Sequence, residues 1–183
     1  THDPHEPTTT PTSALAIKQL ETIEQWRALS TDRTMVPAHN LHILIADDSA
    51  LSRKLVSKLL TSLCDNVNFT FEATYKFDIE HAKTGREACD RVLESLRDPG
   101  QKPFDLVLID YYMPLLDGAE ASQAMRTAGY RGPIMAVTSC TNEPELDRLR
   151  QSGIDAILQK PFTIKKFYKH FLQHIVKSNR QKF

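Results

Sequence analysis

Four short apolar runs and one weaker one, each followed by a stretch with helical spacing, restrict this chain to very few architectures. The runs are ILIA at 43–46, LVLI at 106–109, IMAV at 134–137 and AIL at 156–158, with FDIEHA at 77–82 as the weaker one. Continuous apolar runs of this length suit strands buried on both faces, because a strand with one face in water alternates. Helical spacing follows each. Leu51, Leu55, Leu59 and Leu63 recur every four residues, Ala88, Val92 and Leu96 mark a second helix, and 119–127 is a small Ala-rich third. Residues 145–151 carry Leu146 and Leu149, and the last helix carries Ile164, Phe167, Tyr168, Phe171, Leu172 and Ile175. Gly85, Asp98-Pro99-Gly100 and Gly129 punctuate the pattern. A strand–helix unit repeated five times implies right-handed crossovers. The predicted fold is therefore α/β: a five-stranded parallel sheet covered by helices on both faces. Residues 64–76 read as an irregular connection with some strand of its own, and 98–103 as a second lengthened loop.

In such sheets the chemistry lies beyond the carboxyl ends of the strands. Strand one ends in Asp47-Asp48, strand three in Asp110, strand four in Thr138-Ser139 and strand five in Lys160-Pro161. Singly these residues mean little, since Asp after a strand commonly caps a helix or makes a turn. Their joint placement carries the signal. Three carboxylates held together repel one another, and a divalent cation resolves the repulsion. Oxygen ligands without His or Cys point to Mg²⁺ rather than zinc. Lys160 adds a mobile positive charge and Thr138 a hydroxyl. A carboxylate nucleophile with metal, cation and hydroxyl around it describes phosphoryl transfer onto an aspartate.

IADDSALSRK, DLVLIDYYMPLLDG, PIMAVTS and ILQKPF resemble the receiver domain of two-component response regulators, over about 42–177. The resemblance implies a flavodoxin-like (βα)5 fold. It implies Asp110 as phosphoacceptor, Asp48 as direct Mg²⁺ ligand, Asp47 as an acid acting through water, and the Tyr112 carbonyl as third protein ligand. Thr138 would be the switch hydroxyl, with Ser139 beside it, Lys160 the active-site lysine, and Lys160-Pro161 a cis peptide bond. The partner it implies is a histidine kinase or a histidine phosphotransfer domain, contacting the first helix and the active-site loops. Two positions depart from the family. Ile157 stands where the family often has Tyr or Phe, three residues before the lysine, which leaves transmission to Thr138 and the following loop. Tyr112 and Cys140 stand two residues after the acceptor and the switch hydroxyl, where they border the path of attacking water. A slow self-dephosphorylation that Tyr112→Ala or Tyr112→Asn changes is expected. Cys140 reads as a small loop side chain rather than a redox centre.

A phosphohydrolase using an aspartyl phosphate usually carries a second acid two residues after the nucleophile, where this chain has Tyr112. A dinucleotide fold needs a glycine-rich turn where Asp47-Asp48-Ser49 stands. Lys plus Arg and Asp plus Glu are both 23, so bulk charge builds neither a nucleic-acid nor a membrane surface. No apolar run approaches the ~18 residues of a membrane span. Three cysteines without regular spacing, Cys64, Cys89 and Cys140, form no disulfide or zinc pattern and fit a cytosolic compartment. Residues 1–12, rich in Thr and Pro, read as a disordered linker, and 178–183 as a basic tail. Residues 13–39 read as a helix and connector, the helix packing on its own domain or serving as a connector or homodimer contact. The Thr/Pro-rich start and the Thr at position 1 make a hybrid histidine kinase the expected parent, with a stand-alone regulator as the alternative.

Overall fold

The computed structural model describes residues 39–71 and 75–176. The expectations for the linker, the N-terminal helix at 13–30 and the basic tail lie outside the described residues. Five strands form one parallel sheet: β1 (His39–Ala46), β2 (Tyr75–Ala82), β3 (Leu106–Ile109), β4 (Ile134–Thr138) and β5 (Ala156–Gln159). Their order is β2-β1-β3-β4-β5. Pairing runs from Ile43 opposite Leu106 to Ala46 opposite Ile109, so β1 and β3 end level at the middle of the sheet. Strand order reverses there, and an open α/β sheet leaves a crevice at that point.

Five helices alternate with the strands: α1 (Ala50–Phe71), α2 (Gly85–Arg97), α3 (Gly118–Thr127), α4 (Glu143–Gln151) and α5 (Ile164–Phe171), the last running into a π-helical turn at Leu172–Val176. The pleat sends alternate strand residues to opposite faces. Ile43, Ile45, Leu106, Leu108 and Val137 pack with Val56 and Leu60 of α1 and Phe167 and Phe171 of α5. Leu44, Val107 and Ile109 pack with Ala88 and Val92 of α2 and Ala121 and Met125 of α3. β3 and β4 are buried at every residue, as continuous apolar runs require.

The structure corrects several expected boundaries. β1 begins at His39 and β2 at Tyr75, earlier than their apolar runs. α1 continues through Phe71, across most of the stretch that reads as an irregular connection. Its Asp, Asn and Thr lower helix propensity, but 50–71 contains neither Gly nor Pro, and extending a formed helix is easy. The four-residue spacing on α1 also marks the wrong stripe. Leu51 and Leu55 are exposed, while Val56 and Leu60 face the core. Gly85 is the buried first residue of α2, behind the cap Thr84, rather than a turn residue.

Candidate active site

The acids converge. Asp47, Asp48 and Asp110 each place a carboxylate oxygen within 4.8 Å of the others. Asp47 and Asp110 are buried and Asp48 is exposed. The backbone sets this up: the Asp110 N–H donates to the Ala46 carbonyl at 2.8 Å, binding the two strand ends side by side. The arrangement offers hard anionic oxygens open to solvent on the Asp48 side, and it could hold a divalent metal ion.

Lys160 comes from β5 across β4 and β3. Its Nζ lies 2.7 Å from Asp47 Oδ2, 3.3 Å from Ser52 Oγ and 3.5 Å from Asp110 Oδ2. The Lys160–Pro161 peptide bond is cis. Thr138 is fully buried, and its hydroxyl accepts from the Cys140 N–H at 3.1 Å. Asp110 Oδ1 accepts from the Tyr111 N–H at 2.8 Å. Burial pushes the Asp110 carboxyl above its ordinary range. Lys160, the Thr138 hydroxyl and the Tyr111 N–H oppose that shift, and Asp47 adds to it.

Not every expected residue enters the pocket. Ser139 is exposed. The Tyr112 side chain, half exposed, turns to α4, where its hydroxyl donates to Glu145 Oε2 at 2.6 Å. Cys140 is buried, and burial raises its thiol, which disfavours the reactive thiolate. Ile157 packs against a cluster formed by Tyr111, Ala136, Cys140, Leu146 and Leu149.

Three contributors escape sequence reasoning. Ser52 meets Lys160 from the first turn of α1. Arg53 Nη1 donates to the carbonyls of Asp47 at 2.6 Å and Asp48 at 3.1 Å, pinning the acidic loop to α1. Glu145 joins Tyr112 to Cys140. Arg53 stands in the DDSALSR segment, five residues past Asp48, within reach of its carbonyl. Glu145 sits in a charged helix with nothing to mark it.

A family model for the response regulator receiver domain matches residues 43–172. A hybrid signal transduction histidine kinase of Dictyostelium discoideum is 32% identical over 69% of the chain and 7% of its own length. The sensor histidine kinase RcsC of Escherichia coli is 30% identical over 74% of the chain and 12% of its own length. The chain thus spans a small fraction of these curated relatives. Among solved structures, the receiver domain of a Pseudomonas aeruginosa sensor histidine kinase, with magnesium coordinated in its active-site cleft, superposes with a TM-score of 0.59. It is 22% identical and covers 75% of this chain and 98% of that one. Vibrio cholerae CheY4 gives 0.57 at 24% identity, covering 74% of this chain and 99% of that one.

Proposed function

The chain belongs to the response regulator receiver domain family, and from that premise we propose that Asp110 accepts a phosphoryl group from a phosphohistidine on a histidine kinase or phosphotransfer domain. The observation that carries the proposal is a buried carboxylate with two further acids and a lysine gathered around it. An Asp110 oxygen attacks phosphorus, the phosphorus–nitrogen bond breaks, and the nitrogen keeps the electron pair. Lys160 and Thr138 stabilise charge on the phosphoryl oxygens. Asp47, Asp48 and Asp110, with the Tyr112 carbonyl, would hold Mg²⁺, which supplies positive charge to the transferring group. The parent we infer is a hybrid histidine kinase, in keeping with the Dictyostelium and Escherichia relatives. Among the described residues, no helix is long and apolar enough to cross a membrane.

Once phosphorylated, Asp110 offers a new acceptor to the Thr138 hydroxyl, whose oxygen accepts from the Cys140 N–H of the following loop. That change biases the β4–α4 loop. The ring that often completes such a switch is absent at Ile157, so the loop and α4 carry the signal.

The test is mass spectrometry of the chain after incubation with Mg²⁺ and acetyl phosphate. The expected result is one phosphoryl group mapped to Asp110, lost with excess chelator. Absence of uptake, or label elsewhere, would overturn the proposal. Asp48→Asn removes one anionic ligand from the pocket's solvent side and is expected to weaken Mg²⁺ binding about tenfold or more. Titration followed by tyrosine fluorescence or calorimetry checks it, and an unchanged affinity would place the metal elsewhere.

A further inference from the structure

Of the three acids at the carboxyl edge of the sheet, two have their carboxylates held. Asp47 accepts from Lys160 Nζ at 2.7 Å and from the Ser49 N–H at 2.9 Å, and Asp110 accepts from the Tyr111 N–H at 2.8 Å. Asp48 is exposed, and among the described residues its carboxylate makes no hydrogen bond or ion pair. It nevertheless stands within 4.8 Å of the other two. With no group holding the side chain, its direction is set by the backbone that carries it.

That backbone is held from α1. Arg53 Nη1 donates to the Asp47 carbonyl at 2.6 Å and to the Asp48 carbonyl at 3.1 Å. Peptide groups are planar, and these two carbonyls belong to the planes on either side of the Asp48 Cα. Fixing both planes fixes φ and ψ at Asp48, and with them the direction of its Cα–Cβ bond. The other end of the tether is firm. Val56 and Leu60 of the same helix are buried in the core, and the Arg53 N–H donates to the Ser49 carbonyl at 3.0 Å. Hydrogen bonds from a charged donor are also stronger than neutral ones.

We propose that Arg53 is a positioning residue for the metal site, acting through Asp48, and that it raises affinity for Mg²⁺ although its own charge opposes a cation. The proposal rests on the reading of the three acids as a Mg²⁺ site. The guanidinium has two effects of opposite sign. Its positive charge repels a nearby cation, so charge alone predicts tighter Mg²⁺ binding once it is removed. Its hold on the two carbonyls preorganises Asp48, so positioning predicts weaker binding once it is removed. Mg²⁺ demands near-ideal octahedral geometry, which makes the direction of a ligand decisive.

The experiment is calorimetric titration of the whole chain with MgCl₂, without a phosphodonor. Arg53→Met is expected to weaken Mg²⁺ binding about threefold to tenfold, the span such hydrogen bonds support. Arg53→Lys keeps the charge but ends one bond short, and is expected to lose about twofold or more. With charge held constant, it carries the test by itself where Arg53→Met fails to fold. In an Asp48→Asn background, Arg53→Met should change the affinity by less than about twofold, because both act on one ligand. Phosphoryl uptake from acetyl phosphate by Arg53→Met should be slow at limiting Mg²⁺ and return to within about twofold of wild type at saturation, a split that general destabilisation would not produce. An affinity unchanged or tightened in either single variant, effects that multiply in the double, or uptake that stays slow at saturation would overturn the proposal. A wild type that binds Mg²⁺ but takes up no phosphoryl group would sink the phosphoacceptor reading and leave the role of Arg53 standing. A wild type that binds no Mg²⁺ would overturn this proposal together with the metal reading.

Discussion

Asp110→Asn is expected to abolish phosphoryl uptake and, in the chain without Mg²⁺, to raise stability at neutral pH. The first effect follows from chemistry, because an amide oxygen has no anionic electron pair with which to displace the donor's nitrogen. The second follows from burial. The folded protein holds the Asp110 carboxyl above its ordinary range, chiefly by desolvation, and the nearby Asp47 pushes the same way. A carboxyl with a raised folded pKa binds more protons folded than unfolded. Its contribution to stability is full below the unfolded pKa and is lost as pH rises through the folded one. At neutral pH the wild type carries that loss and the Asn variant does not. Thermal melts in chelator should therefore show the variant ahead at neutral pH, with the gap closing in acid. Radiolabelled acetyl phosphate checks the chemical half. A variant that still takes up label at another residue, or one that melts below wild type at neutral pH, would show that the site works differently.

Gly118→Ala should give the largest loss of stability among small changes near the site. A Cβ at this first residue of α3 would run into the Asp110 carbonyl oxygen, with Tyr111 Cα at 3.0 Å. The obstacle is backbone and cannot turn aside. The Gly118 N–H also donates to the Tyr111 carbonyl at 2.8 Å, so moving the helix away breaks that bond. The expected cost is ~2–4 kcal/mol, as for other forced overpacking. Phosphoryl uptake should slow as well, because the displaced atoms belong to the acceptor residue. Gly129→Ala provides the contrast. Gly129 follows α3 at a φ of 98° with nothing within 4 Å of a built Cβ, so only backbone strain opposes the change. That should cost about 1 kcal/mol and leave uptake unchanged. Urea unfolding of the two variants would separate the mechanisms, and equal losses would refute the steric account.

A divalent ion in the acidic pocket would tie these results together. Asp110 stands among acids within 4.8 Å, and burial holds its carboxyl above the ordinary range despite Lys160. A pocket arranged this way favours binding over stability. The same trade appears at Asp110, where the carboxylate proposed to accept the phosphoryl group is the one that burial penalises.

Much of this was legible in the sequence because it depends on local pattern. The runs LVLI and IMAV are buried at every residue, as their lack of alternation required. Asp47, Asp48, Asp110 and Lys160 lie at strand ends, and a parallel sheet brings strand ends together whatever the loops do. The misreadings occur where local pattern permits two answers. A four-residue spacing on α1 fits the Leu51–Leu55 stripe as well as the Val56–Leu60 stripe, and only packing against β1 and α5 selects the second. The polar segment after Leu63 reads as loop from its composition, yet it carries no Gly or Pro to stop the helix.

The sequence by itself determined the repeating strand–helix unit, the parallel sheet and the set of residues at its carboxyl edge, because these follow from periodicity and from where each apolar run stops. Tertiary structure alone decided which side chains on the surrounding loops and helices act on that edge. Arg53 holds the carbonyls of the acidic loop, Ser52 meets Lys160, and Glu145 joins Tyr112 to Cys140. Each is an ordinary polar residue on a helix. What distinguishes it is a distance of about 3 Å across separate loops, set by how the helices dock, and no local spacing encodes that distance.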